Sequence, residues 1–175
     1  MFVVHQLRYH PEIIKLREKV LNGPQDKVYN VELTYIPPRG KWYQYSWKGD
    51  IQKSGDITTN IGIHFFDTLL WIFGDVKENT VYQHEVDMAS GKLKLANAEV
   101  NWMLSIDGNQ LPEEAKKAGK RTYRILTVND EVIDLSEDFH ELHTKVYQEI
   151  LDRRGLGLEE VKSTIKLVHE IRNSK

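Results

Sequence analysis

The amino-acid sequence predicts an α+β fold, a largely antiparallel mixed sheet with helices on one face. Two observations carry that expectation. Segments of alternating apolar residues are joined by short turns, which is how antiparallel neighbours connect. Apolar stripes at helical spacing occupy both ends of the chain and one central stretch, so the helices gather on one side of the sheet. At 175 residues the chain is the size of one domain.

His10-Pro11 opens the first helix, since proline at the first turn gives up an N–H that has no intrahelical partner anyway. Ile13, Ile14, Leu16, Val20 and Leu21 form its stripe, and Asn22-Gly23-Pro24 stops it. Lys27 to Ile36 alternates through Val28, Val31, Leu33 and Tyr35 as a strand that Pro37-Pro38 ends. Residues 39–56 read as a loop rich in aromatics and glycine. Asp56 caps a second helix, Ile57 to Phe73, which closes at Gly74. Strands are expected at 75–87 and 92–106, turned at Ser90-Gly91. An excursion at 107–119 precedes a hairpin of 120–128 and 131–135 across Asn129-Asp130. Helices at 138–152 and 158–172 complete the chain. The uncovered sheet face is expected to carry Leu93, Leu95 and Trp102, an apolar surface for a partner to cover. Phe2-Val3-Val4 reads as the end of a buried strand, which predicts that a further part of the protein precedes it.

Hydrophobic residues make up 40% of the chain and charged residues 29%, a balance that argues against disorder. A formal net charge of -2 gives no attraction to nucleic acid or to an anionic membrane, so neither is expected as a partner. Without cysteine there is no thiolate nucleophile, disulfide or zinc–thiolate site, which fits a cytoplasmic setting. No apolar run approaches the roughly 20 residues that span a bilayer.

The chemistry concentrates in Asn60-Ile61-Gly62-Ile63-His64-Phe65-Phe66-Asp67. Spacings of four and seven superpose on a helix, so Asn60, His64 and Asp67 form a polar strip on an otherwise apolar helix. Gly62 thins the helix and lets another group approach its backbone. An imidazole with a pKa near neutrality is suited to take a proton from a hydroxyl. The plainer alternative is a hydrogen-bonded core histidine, with Asp67 orienting it or capping a loop. His140 and His143, near Asp138 and Glu141, offer at most two metal ligands from one helix face, so no metal is expected. His5, His10, His84 and His169 have no interpretable spacing.

The stretch Gly55-Asp56-Ile57-Thr58-Thr59-Asn60-Ile61-Gly62-Ile63-His64-Phe65-Phe66-Asp67 resembles the active-site helix of the Gfo/Idh/MocA oxidoreductases. Gln6-Leu7-Arg8-Tyr9-His10-Pro11 resembles the segment by which that family leaves its Rossmann domain. Arg39 to Tyr43 with Ser46-Trp47-Lys48-Gly49-Asp50 is similar, more narrowly, to the bacterial UDP-N-acetyl-glucosaminuronate 3-dehydrogenases. Those enzymes oxidise C3 of a UDP-linked aminosugar acid for surface polysaccharides. The resemblance implies a C-terminal domain like that of glyceraldehyde-3-phosphate dehydrogenase, residues 1–175 serving substrate binding and oligomerisation. It also implies NAD as cofactor, held by a Rossmann domain that this sequence lacks: neither Gly-x-Gly-x-x-Gly nor Glu-Lys-Pro occurs.

Carried over by position, the family's histidine falls on His64, as acid and base at the hydroxyl being oxidised. Asn60 stands where the wider family often has aspartate, and the amide is suited to orienting substrate. Trp42, Tyr43, Tyr45 and Trp47 have the density to stack on a sugar or uracil ring, and Thr59 joins the substrate contacts. Arg39, Lys41 and Lys48 supply charge for a diphosphate or uronate. A buried sheet-edge aromatic cluster with solvated lysines is the other reading of that loop. Arg8 is placed either at the cofactor or in a salt bridge at a helix start. The expected whole is the substrate side of an NAD-dependent sugar-nucleotide dehydrogenase, inactive alone and joined to copies of itself through its open sheet face. A non-catalytic sugar-binding or oligomerisation module, or a family member acting on another sugar or polyol, is the alternative.

Overall fold

The structure, a computed structural model, describes residues 1–24, 26–136 and 141–174. In chain order its elements are α1 (Pro11–Leu21), β1 (Tyr29–Ile36), α2 (Trp42–Tyr45), α3 (Ile51–Ser54) and α4 (Ile63–Phe73). Then follow β2 (Val76–His84), β3 (Met88–Leu95), β4 (Ala98–Ser105), α5 (Glu113–Lys117), β5 (Tyr123–Val128), β6 (Glu131–Asp134), α6 (Leu142–Leu151) and α7 (Leu158–Arg172). The strands form one six-stranded sheet in the order β2-β3-β4-β1-β5-β6. β1 and β4 run parallel at its centre, and every other neighbouring pair is antiparallel. The mixed, largely antiparallel sheet expected from the turns is therefore observed.

Period-two alternation decides which side chains face the helices. Val31 and Leu33 of β1, Val100, Trp102 and Leu104 of β4, Leu93 and Leu95 of β3, and Leu126 and Val128 of β5 form one buried layer. α4 lays Phe65, Phe66, Leu69 and Phe73 on that layer, with Phe66 edge-on to Trp102 at 5.2 Å. Burying side chains of this size stabilises by about 1.5–3 kcal/mol each. α1 and α7 pack against α4.

This corrects the expectation for the open sheet face. Leu93, Leu95 and Trp102 belong to the helix-covered row, because they share its parity along their strands. The opposite row carries Glu32, Lys92, Glu99 and Asn101, cross-linked by Lys92–Glu99 and Asn101–Glu32 contacts of 2.6 Å each. The open face is largely polar.

A second correction concerns residues 75–106, which form three strands rather than two. Ser90-Gly91 lies inside β3, not at a turn. A Cβ at Gly91 would sit 2.4 Å from the Thr80 carbonyl oxygen and 2.8 Å from the Trp102 ring, so glycine is needed for close approach. Val3 makes only an isolated bridge to Leu156, and Phe2 is exposed, so the opening is not a buried strand. The segment at 39–56 contains α2, α3 and a 3-10 turn at Trp47–Gly49 in place of irregular loop. The expected helix start at 138, with Asp138 and His140, lies outside the described residues.

Candidate active site

The helix that carries His64 does not begin as a regular α-helix. Thr58–Gly62 is a π turn leading into α4. Asp56 caps it, its Oδ1 accepting from Thr58 N at 2.8 Å, Thr59 N at 3.1 Å and Thr58 Oγ1 at 2.6 Å. A π turn bonds i to i+5 and widens the start of the helix. Asn60 Nδ2 donates to Ser54 Oγ at 2.8 Å and to the Lys48 carbonyl at 3.4 Å. The residue expected beside the histidine thus fastens the aromatic segment to the helix entrance. Gly62 does admit a close neighbour, since a Cβ there would lie 2.6 Å from Leu104 Cδ1.

His64 is half-buried, with Nδ1 sealed and given no hydrogen bond by the described residues. Burial, reinforced by the nearby His5, lowers its pKa to about 4, against the pull of Asp67. The imidazole is neutral at neutral pH.

Asp67 is fully buried and accepts both prongs of Arg8, Nε to Oδ2 and Nη2 to Oδ1, at 2.7 Å each. Thr164 Oγ1 adds a bond of 3.2 Å. Arg8 also lies over the Trp71 ring at 5.4 Å and is itself buried. Of the two roles its sequence position allows, the salt bridge is formed within this chain. A buried charge of this kind is retained only when paired.

The aromatic segment divides. Trp42, Tyr45 and Trp47 are exposed, while Tyr43 is buried edge-on to Trp42 at 5.9 Å. The segment is therefore not a buried cluster. Tyr43 and Lys48 line a cavity of about 360 Å³ with Gly55, Asp56, His84 and Arg172. Arg39 and Tyr43 border a smaller one of about 160 Å³ beside Asp87 and Asp107. Thr59 belongs to the Asp56 cap rather than to either cavity. His64 lines neither.

Two arrangements had no visible signal in the sequence. One joins Asp56 Oδ2 to His84 Nε2 at 2.8 Å, with Arg172 Nε at 3.8 Å. Burial pushes the Asp56 carboxyl up, but hydrogen bonds from Thr58 and Thr59 and the His84 charge outweigh it and hold the carboxyl below its ordinary value. The other brings His5 against His64, ring centroids 5.6 Å apart at 74°. Both join residues from distant segments. Among the described residues, no three His, Asp or Glu side chains converge as a metal site.

Known proteins give this geometry its context. A WlbA (WbpB) dehydrogenase from Thermus thermophilus, in complex with NAD and alpha-ketoglutarate, superposes with a TM-score of 0.94 at 42% identity. The match covers 99% of this chain and 56% of that one. The same Thermus enzyme with NAD and UDP-GlcNAcA matches at 0.92 and 42% identity, over 99% of this chain and 55% of that chain. The present chain thus spans little more than half the length of these relatives. The WlbA dehydrogenase of Bordetella pertussis shares the fold at 16% identity and a TM-score of 0.74, over 98% of this chain and 59% of that one. The C-terminal alpha/beta domain of the oxidoreductase family matches residues 17–115, more than half of the sequence. The chain belongs to the Gfo/Idh/MocA oxidoreductases, as the C-terminal domain of that family.

Proposed function

We propose that this chain is the substrate side of an NAD-dependent dehydrogenase that oxidises C3 of a UDP-N-acetyl aminosugar uronic acid. The observation that carries the reading is His64: a neutral imidazole, sealed at Nδ1, on the helix shared with a 42% identical enzyme crystallised with NAD and UDP-GlcNAcA. With Nδ1 closed off, Nε2 is the nitrogen that meets the substrate.

In the reaction the C3–H electron pair leaves as hydride, the hydroxyl O–H bond breaks and a carbonyl forms. NAD, when bound, accepts the hydride. His64 accepts the proton. Its lowered basicity suits a transfer made in step with hydride loss, when the hydroxyl becomes strongly acidic. Asn60 holds Lys48 and Ser54 in place, so the exposed Trp42 and Trp47 and the Lys48 ammonium are presented together to the nucleotide sugar. Arg39 and Thr59 sit at the two ends of that segment, one offering charge and the other shaping its cap. Arg8, fixed by Asp67 at the start of the chain, borders the dinucleotide, whose phosphates are held elsewhere, since no glycine-rich phosphate cradle occurs in the sequence. A separate dinucleotide-binding domain holds NAD, the open sheet face joins copies of the chain, and the protein works in the cytoplasm.

The test is NADH formation with UDP-GlcNAcA by this chain continuous with a dinucleotide-binding domain. His64→Ala is expected to lower kcat by about 10²–10⁴-fold, the range of a positioned acid or base. Undiminished turnover overturns the assignment, and turnover by the 175-residue chain alone overturns the division of labour.

A further inference from the structure

Behind His64 lies a second imidazole that the proposed chemistry leaves unused. His5 is only 2% exposed, and the described residues give neither of its ring nitrogens a hydrogen bond. A leucine or phenylalanine would fill the same space without stranding two polar atoms, so packing alone is a poor account of a histidine there. The ring stands edge-on to His64 at 5.6 Å, and its Nε2 is 3.9 Å from Asp67 Oδ1.

We propose that His5 is a positioning residue for the step assigned to His64: the two imidazoles admit no more than one proton between them, with Asp67 as its counter-charge. The proposal rests on the acid–base reading of His64. The groups facing the pair are Asp67 from its own helix, Arg8 from the N-terminal turn, Arg124 from β5 and His143 from α6. Asp67 is the carboxylate among them, and Arg8 already offsets part of its charge.

A second proton would place two cations with ring centroids 5.6 Å apart, one of them on the buried His5, which burial and repulsion both oppose. One proton is tolerated because Asp67 is within reach. When His64 takes the hydroxyl proton, His5 therefore stays neutral, and the new charge rests between an uncharged ring and a carboxylate. The proton moves from oxygen to His64 nitrogen and needs no further donor or acceptor.

Imidazole nitrogen NMR of this chain across pH tests the pairing. In the unaltered chain the His5 and His64 signals are expected to respond together to the uptake of one proton. His5→Phe keeps the edge contact and the bulk but cannot carry charge; His5→Gln keeps polarity at smaller size. In both, the His64 midpoint is expected to move from about 4 toward 6.5, by about half a unit or more. In the dehydrogenase, both variants are expected to lower kcat about tenfold with KM nearly unchanged, a selective loss of transition-state stabilisation. The acid limb of the kcat/KM profile should move the same way as the NMR midpoint. A His64 midpoint and pH profile unaltered in His5→Phe, with the amide spectrum intact, overturns the proposal, since packing would then account for His5. Undiminished turnover in His64→Ala is a different result: it removes the acid–base reading, and the role of His5 with it, even where the two rings titrate together.

Discussion

Arg8 closes a two-pronged bridge onto Asp67 across 59 residues of sequence, each prong 2.7 Å long. His5 stands three residues before Arg8, and His64 three residues before Asp67. The bridge therefore holds the two histidine rings face to edge, and it fastens the start of the chain to the helix of the candidate active site.

Removing one partner of that bridge leaves the other charge buried and uncompensated. Asp67→Asn or Arg8→Ala is expected to destabilise the fold by about 3–5 kcal/mol. Arg8→Ala combined with Asp67→Asn should cost clearly less than the sum of the two single changes, because neither charge is then stranded. Urea denaturation of the four proteins checks both statements. Additive losses would show that the pair is not coupled.

Acid should weaken the fold before carboxylates titrate. The folded-state pKa of His64 is lowered from 6.5 to about 4 by burial and by His5, and burial lowers that of His5 as well. Between those values the unfolded chain binds more protons than the folded one, so stability falls as pH falls. The contribution is fully present above 6.5 and lost as pH drops toward about 4. The urea midpoint of the wild-type chain should therefore decline across that window, and His64→Gln should flatten the decline. An equal slope in the variant would mean that the ring is not buried as described.

Asn60→Ala should loosen the aromatic segment while sparing the core. The bonds to Ser54 Oγ and the Lys48 carbonyl are lost, at a cost of about 0.5–1.5 kcal/mol for a typical hydrogen bond. Amide exchange around residues 48–54 should quicken while β1 and β4 keep their protection, and in the dehydrogenase KM should rise more than kcat falls. Unchanged exchange in that segment would show that Asn60 does not hold it.

Gly91→Ala tests the three-stranded arrangement of residues 76–105. The new methyl would press on the Thr80 carbonyl and the Trp102 ring, and overpacking of this kind costs about 1–3 kcal/mol. A drop in Tm is expected. A glycine in a solvent-facing turn, as the sequence pattern suggested, would accept alanine far more easily.

Periodicity was a sufficient guide wherever a segment is amphipathic on its own. Pro11–Leu21, Tyr29–Ile36, the hairpin across Asn129 and the last helix all carry their pattern locally. It failed at Gly91 because glycine marks both turns and close contacts, and only the neighbouring Trp102 distinguishes them. It failed on the open face because a one-residue difference in parity exchanges the faces of a strand, and the segment boundaries are no sharper than that. The Asn60–His64 strip was drawn for a regular helix, and neither the π turn at its start nor the bonds from Asn60 to Ser54 and the Lys48 carbonyl has a signature in composition.

The sequence by itself determined the fold class, the family, the helix that bears His64 and the aromatic segment beside it, because these are properties of contiguous residues. Tertiary structure alone decided that Arg8 meets Asp67, that His5 backs His64, and that Asp56 gathers His84 and Arg172. Those partners are assembled by packing between segments far apart in the chain. Their pairing depends on where the sheet and helices bring them, and no local pattern of residues encodes it.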